Sequence, residues 1–181
     1  MNYQEAKKQY HEIRKKVYQK VETELTDRFQ KSIQLTHINI NALKAWREQW
    51  CPRLAERKRF TEEELLWNWV NTIREMSNVP NRFELAIWSD NILCGLAIGK
   101  PSKGPAHNAI YRLQGSPIRH PLEGKIMTIA IKTGTEYAKA LGKKNLILVE
   151  PLEHLVKIYQ RHGFTLKTSK HYPRCYCIKE V

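Results

Sequence analysis

The chain has 181 residues, 41% of them hydrophobic, which is enough for one ordinary domain with a sizeable core. No run of about eighteen apolar residues occurs, so no membrane span is expected, and Met1-Asn2-Tyr3-Gln4 lacks a secretion signal, so a cytoplasmic location is expected. The formal net charge of +13 is distributed along the chain, which favours an anionic partner such as RNA over a cationic one, with a solubilising surface as the plain alternative.

Residues 3 to about 30 read as a helix. Ala6, Tyr10, Ile13, Val17, Val21, Leu25 and Phe29 recur every three to four positions and make one apolar stripe. Lys7, Lys8, Arg14, Lys15, Lys16 and Lys20 fall on the other faces. The stripe packs the helix on a domain; the lysines also allow a basic arm for nucleic acid. Residues 1–31 are therefore taken as a basic amphipathic helix ahead of a domain at 32–181.

Ser32 to Ile40 has the β-branched content of a first strand. Ala42 to Ser77 is helical, broken at Pro52 and restarted by a Thr61–Glu64 capping box. Four of the five tryptophans lie in this region. Trp46, Trp50 and Trp67 are candidates for a cleft wall, and otherwise they are core. Phe83–Trp88 and Ile92–Gly99 form a hairpin around Ser89-Asp90-Asn91, with Gly95 and Gly99 marking bulges or close approaches. Asn108 to Gln114 is a further strand.

Gly115, Ser116 and Pro117 break that strand, and a loop follows from Arg119 to Gly124. Lys125 to Leu141 then has helical spacing, and Gly142 stops it. A loop that feeds a helix N-terminus just after a strand makes an anion site, because the first helical N–H groups have no partner. Arg119 and Lys125 flank that point. Asn145–Val149 is a short apolar strand, Pro151 opens a helix that Gly163 ends, and Thr165–Thr168 and Cys175–Val181 are closing strands. Cys51, Cys94, Cys175 and Cys177 read as reduced packing residues, since a zinc site wants a second pair beside Cys175-x-Cys177.

Two motifs at this end of the chain carry a likeness. Arg119, Leu122 and Gly124 have the spacing Arg-x-x-Gly-x-Gly, with leucine in place of the first glycine. Tyr159, Gly163 and Phe164 follow after the short strand, with Leu152 where an asparagine is common. In order and separation they resemble the GCN5-related N-acetyltransferases. The resemblance implies a mixed α/β fold, a mostly antiparallel sheet flanked by helices, here with an extra N-terminal helix. It implies acetyl-CoA as co-substrate, with the pyrophosphate on Arg119, Leu122, Glu123, Gly124 and Lys125, and transfer to an amine. It also implies that Tyr159 protonates the departing thiolate.

A general base is not singled out by the residues. Glu84, Glu150, His107 and Tyr111 are candidates, with Glu150, at a strand end, placed best. The acceptor is unknown. The charge fits an amine carried on an anionic body, such as aminoacyl-tRNA, and the size and charge resemble small family members that modify it as toxins. A homodimer is compatible with this reading. The rival reading is a non-catalytic module of the same fold that binds nucleic acid or a protein. No metal is expected.

Overall fold

The computed structural model describes residues 2–54 and 67–181. The Thr61–Glu64 capping box lies outside the described residues. Helix α1 (Tyr3–Phe29) starts with a reciprocal cap: the Asn2 side chain accepts from the Glu5 N–H, and the Glu5 carboxylate accepts from the Asn2 N–H. Strand β1 is only Gln34–Thr36. It is shorter than its β-branched run because Asn39 turns the chain, its side chain capping the Ala42 N–H of α2 (Ile40–Ala45).

A π-helical turn, Trp46–Trp50, continues α2 into α3 (Cys51–Leu54). Pro52 was expected to break the helix, and instead it sits inside α3. The Cys51 N–H reaches Trp46 O in the wider turn, and the chain passes the missing proline donor with the helix intact. Helix α4 is Trp69–Glu75. Strands β2 (Phe83–Ser89), β3 (Ile92–Pro101) and β4 (His107–Gly115) follow as a meander. Then come α5 (Ile126–Ala140), β5 (Asn145–Val149), α6 (Glu153–Arg161), β6 (Thr165–Thr168) and β7 (Cys175–Glu180).

The strands make one sheet in the order β1-β2-β3-β4-β5-β7-β6, antiparallel except for the parallel β4–β5 pair. One face carries α1, α5 and α6 over a core that includes Val21, Leu25, Phe83, Leu85, Ile129, Leu146 and Cys177. On the other face, α2 to α4 bury Trp46, Trp50 and Trp69 against Ala86, Leu93, Leu96 and Ile98. A third cluster on that same face joins Ala109, Ile147 and Val149 under Tyr111, Tyr176 and Ile178. Among the described residues no helix contributes to it.

Candidate active site

The site begins with a defect in strand pairing. β4 and β5 share register only from His107↔Asn145 to Ile110↔Leu148. Beyond that, β5 ends and β4 runs on alone to Gly115. A bulge steers β4 away: Ile98 pairs with Arg112, but Gly99 pairs with Ile110, which leaves Tyr111 as the extra residue. Gly99 makes this approach possible. A Cβ there would stand 1.7 Å from the Ala109 carbonyl oxygen.

The two strands part around a cleft of about 420 Å³. Its walls come from β4, β5, the start of α6, the end of α4 and the β6–β7 loop. Tyr159 lines it, 5% exposed, with its ring 6.3 Å from Phe164 in an edge-on contact. Glu150 lines it too, held at φ 45 at the end of β5, while its N–H donates to the Cys175 carbonyl at 2.9 Å. A non-glycine residue in the left-handed region is backbone strain, and strain of this kind clusters at functional sites. The two expected catalytic residues thus face one space.

The other base candidates divide. Tyr111 lines the cleft, and burial followed by the neighbouring Tyr172 phenol raises its pKa. His107 lies at the closed end of the wedge, its pKa lowered by burial and by Lys143. Glu84 is not in the cleft. It is buried, with Arg82 at 3.0 Å and Arg14 at 3.8 Å, and it accepts the Ile38 N–H. Of the tryptophans, Trp67 lines the cleft, whereas Trp46 and Trp50 are core, the indole of Trp50 donating to Leu93 O.

The expected anion site lies at the start of α5, and none of its residues lines the cleft. α5 starts at Ile126 with no side-chain cap, and Gly124 takes φ 75, a turn that disfavours any Cβ. Gly95 lets the helix start sit close on the sheet, since a Cβ there would be 2.6 Å from Ile126 Cγ2. Among the described residues, the N–H groups of Gly124, Ile126, Met127 and Thr128 have no hydrogen-bond partner. Arg119 is exposed beside them. The Lys125 ammonium rests 5.2 Å from the Phe29 ring centre, so it shares its charge with the end of α1.

Leu122 contributes otherwise than its amide. The Leu122 N–H donates to His120 Nδ1 at 3.1 Å, and its side chain is fully buried in the core. The exposed Glu123 accepts the His120 N–H at 3.3 Å, so this carboxylate braces the loop.

Arg112, Thr72, Glu75 and Tyr172 also line the cleft, and sequence reasoning passed over them. The Arg112 guanidinium donates to the Thr72 hydroxyl and lies 5.7 Å from the Trp67 ring centre. A charged residue inside an apolar strand was the available signal. Tyr172 has its pKa raised by burial and by the Glu150 carboxylate, which places the two together at the mouth. Among the described residues no His, Cys, Asp or Glu set gathers to hold a metal ion, and no helix is long and apolar enough to cross a membrane.

The overall fold recurs in solved structures. PaiA N-acetyltransferase from Thermoplasma acidophilum, in complex with coenzyme A, superposes with TM-score 0.56 at 17% identity over 83% of this chain and 99% of its own. The fold is that of the GNAT acetyltransferases. An acetyltransferase of the GNAT family from Staphylococcus aureus Mu50 gives TM-score 0.59 at 9% identity, covering 82% of this chain and 99% of that one. An acyl-CoA N-acyltransferase from Pseudomonas aeruginosa gives 0.54 at 18%, covering 82% and 98%. No protein-family profile and no curated protein sequence matches the chain. The GNAT fold is therefore carried here by a sequence only 9–18% identical to these three structures.

Proposed function

We propose that the chain is an acetyl-CoA-dependent N-acyltransferase. The carrying observation is the presence in one fold of four N–H groups at the start of α5 that have no partner among the described residues and of a cleft lined by Tyr159 and Glu150. A pyrophosphate fits the first and a slender chain ending in a thioester fits the second. The coenzyme supplies the activated acetyl group; everything else is asked of the protein. Gly124 and the first turn of α5 bind the phosphates, with Arg119 adding charge. Glu150 takes the proton from the attacking amine, directly or through water. Tyr159 supplies a proton to the departing thiolate, since a phenol near ~10 stays protonated at neutral pH while a thiol lies near ~8.5.

The acceptor on this reading is an amine carried on an anionic body such as aminoacyl-tRNA, which uses the net charge of +13. A cytoplasmic location accords with four free cysteines. Titration calorimetry with acetyl-CoA tests the core of the proposal. Binding should be measurable, weaker in Arg119→Ala, and lost in Gly124→Asp, whose side chain is strained at positive φ and repels phosphate. Absence of binding by the parent protein would leave the non-catalytic module as the reading to pursue.

A further inference from the structure

The third cluster is an apolar sheet face that no described helix covers, and its surroundings are chemically specific. Tyr111, Tyr176 and Ile178 lie over Ala109, Ile147 and Val149. Register carries the face outward: Val149 pairs with Tyr176, and Tyr176 pairs with Lys167 on the edge strand β6. Directly paired residues share a side of the sheet. On β3, Lys100 pairs with Ala109, so it stands on this face too. The β6–β7 loop carries Tyr172, which lines the cleft with Tyr111 and is 68% exposed, and the exposed Lys170 and Arg174 flank it in sequence.

Lys7, Lys8, Lys15 and Lys16 of α1 are exposed and without ion-pair partners among the described residues, and so are the cations here, which differ in standing beside a tyrosine row. Lys100, Lys167, Lys170 and Arg174 are exposed, and none has an ion-pair partner among the described residues. On the opposite face, Lys20 pairs with Glu136, and Lys132 bridges Glu24 and Glu136. Between Glu153 and Glu180 the sequence holds no carboxylate at all. Glu150 stands at the cleft mouth and Glu180 at the far end of β7, outside the tyrosine row.

We propose that this tyrosine-bearing sheet face binds an unpaired nucleic-acid strand. Half-buried and exposed tyrosine rings stack unpaired bases, and a rim of unpaired cations follows the phosphates. An acidic polypeptide would use the cations but leave the rings without π-faced partners. Because Tyr111 and Tyr172 also line the cleft, a strand on this face ends where the acceptor amine would enter. That last step rests on the acyltransferase reading; the strand binding does not.

Fluorescence anisotropy with a labelled single strand of about ten nucleotides, as RNA and as DNA, tests the proposal. Binding should weaken with salt at a log–log slope of about 0.7 per phosphate contacted. Charge reversal at Lys167, Lys170 and Arg174 together should weaken it at least about tenfold by removing three phosphate contacts. Tyr176→Ala should cost about tenfold and Tyr176→Phe almost nothing, because the ring is what stacks. Reversal of Lys7, Lys8, Lys15 and Lys16 on α1 should leave affinity near the parent value. The better-bound strand, RNA or DNA, names the source. The proposal is overturned if neither strand binds at low salt, if the α1 variant loses as much as the sheet variant, or if polyglutamate or a duplex binds as well. Acetyl-CoA titrations of the same proteins keep the two proposals apart, since strand binding can survive without coenzyme binding and the reverse.

Discussion

Arg14 on α1 and Glu84 on β2 meet inside the protein, Nη2 to Oε1 at 3.8 Å, with only 4% and 2% of their surfaces exposed. Arg82 closes the group from the other side at 3.0 Å. The same guanidinium of Arg14 donates to the Pro80 and Arg82 carbonyls, and the Tyr18 hydroxyl donates to Glu84 O. Burial, then the Glu84 charge, holds the Tyr18 phenol well above its ordinary pKa, so it donates at any pH the protein meets. The N-terminal helix is bolted to the sheet by polar groups as well as by its stripe.

Breaking that group is expected to be costly. Arg14→Met leaves Glu84 facing one arginine in place of two, and Glu84→Ala leaves two guanidiniums without their carboxylate. A buried pair that loses one member typically costs about 3–5 kcal/mol. Urea unfolding should show the lowered midpoint in both variants. An unchanged midpoint in both would mean that the apolar stripe alone seats α1.

A second link between α1 and the domain is sensitive to acid. Burial works to raise the pKa of Glu136, but hydrogen bonds from Lys20 and Lys132 outweigh it and lower the value below the ordinary one. A carboxylate with a depressed folded pKa stabilises fully above its unfolded pKa of about 4.3, and that contribution fades as pH falls through the folded value. Glu136→Gln should therefore be less stable than the parent at neutral pH, and the gap should narrow below about pH 4. Unfolding curves collected across that range check the sign.

Gly99 has no room for a side chain. Gly99→Ala pushes a methyl group into the Ala109 carbonyl, so β3 and β4 must separate or the bulge must shift. Overpacking of this kind costs about 1–3 kcal/mol. The damage should also reach function, because the bulge sets where β4 leaves β5. Thermal unfolding and acetyl-CoA titration of the same variant should both decline. A decline in stability alone would detach the bulge from the cleft.

Tyr159→Phe keeps the ring and its contact with Phe164 and removes the hydroxyl. If the phenol protonates the leaving thiolate, turnover falls by about 10²–10⁴, the usual worth of a general acid, while coenzyme affinity and stability hold. The assay is release of free thiol with any acceptor that supports turnover. Unchanged turnover would make Tyr159 a packing residue.

Much of this architecture was legible in residue order. β5 and β6 fall at the expected residues, and most other boundaries shift by one or two. The exceptions have local causes. β1 shrank because Asn39 preferred to cap a helix, and Pro52 stayed helical because a π turn absorbed it. At the site, local order could be read, such as the loop that leads into α5. Relations across the fold could not. Arg14 looked like one more solvated cation, and Glu84 like a lone strand carboxylate with a chemical role. Each was misread because its partner lies 70 residues away. Arg112, Glu75 and Tyr172 were missed for the same reason, since each belongs to a different element.

The parting of β4 from β5 also creates a hazard. From Arg112 to Gly115, one side of β4 pairs with β3 and the other has no strand among the described residues. The sheet therefore carries an open rim in its interior, where a stray chain could dock and start aggregation. Outer rims are commonly guarded by charge, and this one has Arg112 in its midst, tethered to Thr72. Arg112 is placed where a charge would deter such docking. Arg112→Leu should raise light scattering on storage, and a ligand that fills the cleft should restore clarity. The residue set in the open rim is thus also one that lines the cleft.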